Sequence, residues 1–249
     1  MEDWRRRELD RLAAAGYLPT IQKLAKDHSA PFWWHDATRP IGNHIEHNGT
    51  ITFVRTDQET LGISCAHVHD GWLRDKAVNP NLVCQIGGIT FDPEDRLIDI
   101  NRRLDLATYK LSDVVVNGSR SIVHSPRTWP PTDIADGELV ILGGWPGILR
   151  EKATGQTHFY FASFITRIDQ TSADHLAVHL NLAEAHGLAG LLVPTSPDLG
   201  GSSGGPVFRI REEPIVLLEL VGVVYQYTAA FELLRGRRAS SIRSNGTIP

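Results

Sequence analysis

Ser203 stands inside Gly200-Gly201-Ser202-Ser203-Gly204-Gly205-Pro206, where glycines let the backbone bend sharply around an exposed hydroxyl. A serine hydroxyl becomes a useful nucleophile only when a base takes its proton and nearby N–H groups hold the oxyanion that develops. Gly201 has no Cβ to keep a substrate away from its amide, so the N–H groups of Gly201 and Ser203 are the candidate oxyanion donors. The base has to be a histidine, and a carboxylate has to hold its tautomer. His67 lies in the apolar, strand-like run Leu61-Gly62-Ile63-Ser64-Cys65-Ala66-His67-Val68, with small residues just before it. Asp105 interrupts an apolar strand start in Arg103-Leu104-Asp105-Leu106-Ala107-Thr108-Tyr109-Lys110-Leu111. A carboxylate there is costly to bury unless a donor such as an imidazole N–H meets it.

Chain order separates the hydrolase classes that share these groups. Gly201-Ser202-Ser203-Gly204-Gly205 fits a G-x-S-x-G elbow, but that class places its acid and then its histidine after the serine. No histidine and no aspartate follow Ser203. An Asp, His, Ser order using Asp36 or Asp57 can be assembled, though nothing else around those residues supports it. The remaining order, His67, Asp105, Ser203, is that of the chymotrypsin-like class. On these segments the chain resembles the trypsin/chymotrypsin-like serine peptidases, in the style of disulfide-free bacterial intracellular members. Ser64-Cys65-Ala66-His67-Val68 resembles their Thr-Ala-x-His, Asp105 to Leu111 their Asp-Ile-Ala-x-x-x-Leu, and Gly201 to Pro206 their Gly-Asp-Ser-Gly-Gly-Pro. The resemblance runs from about Thr50 to about Thr228. It implies a serine endopeptidase that forms an acyl-enzyme with His67, Asp105 and Ser203, and a protein or peptide as substrate.

The same resemblance points to Pro197 and Asp198 near the base of the primary substrate pocket, and to Tyr225 and Tyr227 on its wall, narrowing the entrance. Ser202 occupies the place where zymogen-activated members carry an aspartate, and Val68 stands where many secreted members have a cysteine. His67-Val68-His69-Asp70 opens like a metal motif, but Gly71 and Trp72 take the places of its second acid and histidine, so no metal and no cofactor are expected.

The elements that must position these groups are mostly strands. Short β-rich runs between turn signals, from Thr50 to Tyr225, read as an all-β protein. With the resemblance, that reading becomes two six-stranded antiparallel β-barrels with the site in the cleft between them. The expected parts are an N-terminal helical extension (1–49), a first barrel (50–124), a linker (125–137), a second barrel (138–228), and a C-terminal helix and tail (229–249). Residues 4–26 carry apolar side chains at helical spacing, broken at Gly16-Tyr17-Leu18-Pro19.

The chain has 249 residues, 41% of them hydrophobic and 22% charged, as ordinary globular proteins do. A net charge of −4 gives no basic field for nucleic acid. No stretch approaches the ~20 apolar residues of a membrane span, and no signal-like run follows the charged start, so the expected location is cytoplasmic. Two cysteines, Cys65 and Cys84, suit a reduced compartment. Two other readings stay open: a silent trypsin-fold binding or sensing module, and a peptidase active only after a partner orders it. Residues 1–49 are the candidate surface for such a regulatory partner.

Overall fold

Two helices open the chain, α1 Glu2–Ala14 and α2 Leu18–Asp27. Gly16 separates them with a left-handed φ of 72° that glycine adopts without a steric cost. Their apolar faces turn inward, and Leu12, Ile21 and Ala25 are fully buried. The computed structural model describes residues 2–40, 47–153, 155–180, 186–187, 198–212 and 216–249.

The extension is helical only as far as Asp27. The next segment is a strand, β1 Ser29–Asp36, buried along its whole length. It pairs antiparallel with β2 His47–Arg55 on one side and with β4 Leu82–Ile86 on the other. Five further elements complete this region: β3 Thr60–Ser64, α3 Ala66–Val78, β5 Ile89–Thr90, α4 Pro93–Arg96 and β6 Leu97–Asn101. After β7 Leu106–Lys110 and α5 Asp113–Gly118 the chain leaves the first sheet, whose order is β5-β4-β1-β2-β3-β7-β6. The run 61–68 that reads as one strand therefore stops at Ser64, and His67 belongs to a helix.

The second sheet is built from β8 Leu139–Gly144, β11 Ala162–Arg167, β12 Gln170–Thr171, β13 His175–His179, β14 His186–Gly187, β15 Pro206–Arg211, β16 Leu217–Thr228 and β17 Leu233–Arg238. A small hairpin, β9 Glu151–Ala153 with β10 Gln156–His158, stands outside it. The order of the second sheet is β12-β13-β17-β16-β15-β8-β11-β14. Among the described residues the sheets thus hold seven and eight strands in open orders, in place of six apiece. β1 lies inside the first sheet, and two-residue strands close its β5 edge and both edges of the second sheet. The expected C-terminal helix is also replaced: short 3₁₀ turns flank β17, which pairs with β16 and β13. Gly236, a poor helix former, lies on this ladder at a point where a Cβ would come within 2.9 Å of Leu176 Cδ1. No helix among the described residues is long and apolar enough to cross a membrane.

Each sheet has its own apolar core, and a third core joins them. Phe32, Ile51, Phe53 and Tyr109 pack within the first, and Val140, Leu142, Val207 and Leu234 within the second. Ile141 points the opposite way from its neighbours on β8, as strand alternation demands, and belongs to the shared core with Leu61, Ile63, Phe208 and side chains of both N-terminal helices. The irregular segment between the sheets is fastened by Arg209, which is 3% exposed and donates to the Asp133 carbonyl and to the Glu138 and Glu219 carboxylates.

His28, at the end of α2, and His124 lie edge to face at 5.2 Å, with Phe208 of β15 against both. His28 donates from Nδ1 to the Ile122 carbonyl at 2.8 Å. His124 Nε2 is buried with no partner among the described residues. Burial lowers both imidazoles, and nearby His28 adds to the effect on His124, which falls to about 4, while Asp27 and Glu219 oppose the shifts.

Ile21→Ala should cost about 2–5 kcal/mol in urea unfolding, because it empties a fully buried site between the helices and the sheets. A depressed histidine stabilises the fold fully above its unfolded value near 6.5, and the contribution is lost as pH falls toward 4. For His124 this amounts to about 3 kcal/mol. Urea midpoints should therefore drop between pH 6.5 and 4, and His124→Gln should flatten that drop.

Candidate active site

His67 is the second residue of α3, whose first amides have no partner inside the helix. The residue before the helix, Cys65, gives no side-chain cap. Asp105 supplies it from another element: Oδ1 accepts from the His67 backbone N–H at 2.9 Å, and Oδ2 accepts from Nδ1 of the same residue at 2.7 Å. A carboxylate at a helix N-terminus is favoured electrostatically, so one group stabilises the helix end and fixes the ring. With the Nδ1 proton held by Asp105, Nε2 is the ring's free acceptor.

Asp105 reaches this position from the turn that leads into β7, with a φ of 54° that aspartate tolerates better than most residues. Arg102 holds that turn against α3 through two bonds to Asp70, at 2.8 and 2.9 Å. Arg103 bonds Asp174, at the start of the β13 turn, at 3.2 Å. His67 is half exposed on its side chain and Asp105 about one-fifth, so the pair faces the surface.

Ser203 is half-buried in the loop before β15. Thr50 N donates to its carbonyl at 2.8 Å, and Thr52 Oγ1 donates to the Gly204 carbonyl at 2.8 Å. Gly204 has a φ of 91°, and a Cβ on it would come within 2.0 Å of Thr50 O and 3.0 Å of Ser64 Cα. The serine loop therefore abuts the end of β3, from which α3 and His67 begin. Ser203 Oγ makes no hydrogen bond among the described residues, and its link to His67 Nε2 is not closed in this structure.

The loop's amides divide into two sets. Gly200 N bonds Asp198 Oδ1, Ser202 N bonds Leu199 O, Gly204 N bonds Val224 O and Gly205 N bonds Ser202 O. Among the described residues the Gly201 and Ser203 amides donate to nothing.

Asp198 is exposed and accepts from Gly200 N at 2.8 Å, so it closes its own turn. Pro197 lies outside the described residues. Tyr225 sits at a bulge of β16, packs on the first sheet's core, and carries the Arg237 guanidinium 4.1 Å above its ring. Tyr227 packs on the second sheet's core, and burial raises its hydroxyl. The two rings thus diverge instead of framing one entrance together.

The other groups near the site are engaged. His69 Nδ1 meets the Tyr109 hydroxyl at 3.1 Å inside the first core. Cys65 Sγ, a His67 nitrogen and an Asp105 oxygen lie within 4.8 Å of one another. Burial pushes the thiol well up, it faces the Val224 carbonyl at 3.2 Å, and Asp105 already occupies Nδ1. That donor set suits packing better than metal ligation.

Asn48, Thr50, Trp145 and Gly147 also touch the loop, although by sequence they are turn and strand-exit residues with no chemical role. Their only signal is the pair of glycine-containing segments, Asn48-Gly49-Thr50 and Gly143 to Gly147.

No protein-family model matches the chain, and no curated protein sequence matches it. Among solved structures it is similar to a thermostable serine protease, AL20, from an extremophilic microorganism, with 13% identity over 86% of this chain and 92% of that one, and a TM-score of 0.49. It is also similar to a Glu endopeptidase in complex with MPD, with 12% identity over 88% of each chain and a TM-score of 0.46.

Proposed function

We propose that the chain is a trypsin-like serine endopeptidase that hydrolyses peptide bonds through an acyl-enzyme. The observation that carries this reading is Asp105 gripping His67 at both Nδ1 and the backbone amide, beside a glycine-rich loop whose Gly201 and Ser203 amides remain undirected to any acceptor among the described residues. Asp105 holds the tautomer in which Nε2 is basic, and stabilises the imidazolium once it forms. Ser203 Oγ attacks the scissile carbonyl as His67 Nε2 takes its proton. The tetrahedral oxyanion then lies against the Gly201 and Ser203 amides, each worth ~3 kcal/mol of transition-state stabilisation. His67 passes the proton to the leaving amine, and water repeats the sequence on the acyl-enzyme. Cys65 and Cys84, both buried free thiols, suit a reducing compartment such as the cytoplasm. The open Ser203–His67 link supports a second reading, in which a partner closes it before turnover begins. The extension's buried apolar side chains belong to the shared core, which favours a structural role for it.

A fluorophosphonate should add one label to the wild-type protein by intact mass, and none to Ser203→Ala or His67→Ala. Absence of labelling on the wild type, or its persistence in Ser203→Ala, overturns the reading. Asp105→Asn keeps an acceptor for the helix amide but favours the wrong tautomer, and should lower kcat on a peptide substrate about 10⁴-fold.

A further inference from the structure

An oxyanion donor is useful only if its peptide plane is fixed. In a trans peptide the N–H points opposite to the C=O of the preceding residue, so whatever binds that carbonyl sets the direction of the amide. The Ser203 amide shares its plane with the Ser202 carbonyl, which accepts from Gly205 N at 2.9 Å. The Gly201 amide shares its plane with the Gly200 carbonyl, which accepts from Gly147 N at 2.7 Å. Gly200 and Gly201 both lack a Cβ, so this second plane can turn over at little steric cost and has to be held from outside.

We propose that Asn48 and Trp145 are the positioning residues that hold it, and that the N-terminal segment Lys26–Ser29 anchors them; the proposal rests on the peptidase reading above. Asn48 Nδ2 donates to the Trp145 carbonyl at 2.7 Å and stands 2.4 Å from where a Gly201 Cβ would be, so it fills the space beside Gly201 itself. Arg150 Nη1 donates to Asn48 Oδ1 at 3.2 Å and fixes the amide's orientation. Trp145 N donates to Thr50 Oγ1 at 3.0 Å, and the same hydroxyl donates to the Gly201 carbonyl at 2.8 Å. Trp145 thus carries the main chain into Gly147, whose amide grips Gly200. The indole is in turn rooted in the extension: Nε1 donates to Ser29 Oγ at 3.1 Å, Ser29 Oγ donates to the Lys26 carbonyl at 3.2 Å, and Lys26 Nζ lies 6.0 Å from the ring centre. The end of α2 therefore reaches the oxyanion amide through one continuous set of contacts, and the donating conformation is built into the folded chain.

Asn48→Asp keeps the shape but removes the donor. It should lower kcat about ten- to a hundredfold with KM unchanged, and weaken a peptide boronate or aldehyde inhibitor by the same factor as kcat/KM. Ser29→Ala, which only loosens the indole, should give a smaller fall of the same kind, and serves if Asn48→Asp fails to fold. Wild-type kcat and inhibitor binding in a folded Asn48→Asp protein overturn the proposal, as does a loss confined to KM. A wild-type protein that takes no fluorophosphonate label refutes the peptidase reading instead, a result these variants cannot mimic.

Discussion

Gly204 is where the two halves of this molecule touch backbone to backbone. Its amide bonds Val224 O, its carbonyl takes Thr52 Oγ1, and its α-carbon faces the Thr50 carbonyl so closely that no side chain fits. Ser64 Oγ donates to that same Thr50 carbonyl at 2.7 Å. Three chain segments are therefore locked at one point: the serine loop, β2 and the end of β3. Everything about the candidate site follows from that contact, because His67 departs from the third of these segments and Ser203 belongs to the first.

Such a junction needs rigid support on both sides, and the arrangement of cores provides it. Neither sheet is a self-contained body, since Ile141 and Phe208 of the second pack with Leu61 and Ile63 of the first. The N-terminal helices fill the remaining space in that shared core, and Leu12 and Ile21 are as inaccessible as any strand residue. His28, at the end of α2, and His124 pack on Phe208 of that same core, so protonating either imidazole puts a charge at this seam.

Side chains with definite chemistry are legible in the sequence. A carboxylate at an apolar strand start needs a donor, and a serine between glycines needs a base, so Asp105, His67 and Ser203 stand out by residue type and neighbours alone. What is not legible is context supplied from far along the chain. Ser29–Asp36 becomes a strand because two partners bury both its edges, and Leu233–Arg238 becomes one because β16 and β13 leave a place beside them. Cys65-Ala66-His67 looks like the end of a strand, and is instead a helix start whose cap lies at Asp105. Asn48 and Trp145 carry no chemical signature in the sequence, since their hydrogen bonds, Asn48 to the Trp145 carbonyl and Trp145 to the Thr50 and Ser29 hydroxyls, join segments far apart in the chain. Tyr225 and Tyr227, two apart on β16, pack on different cores, because the bulge at Tyr225 breaks the alternation of the strand.

Asp105 serves two masters with its two oxygens, one on a helix amide and one on an imidazole. Removing this carboxylate would leave both an imidazole and a helix end unsatisfied, whereas a change at Ser203 or at the imidazole itself would leave the cap intact. In a relative of this chain without the serine or the histidine, the aspartate would thus be expected to persist as a residue of the fold.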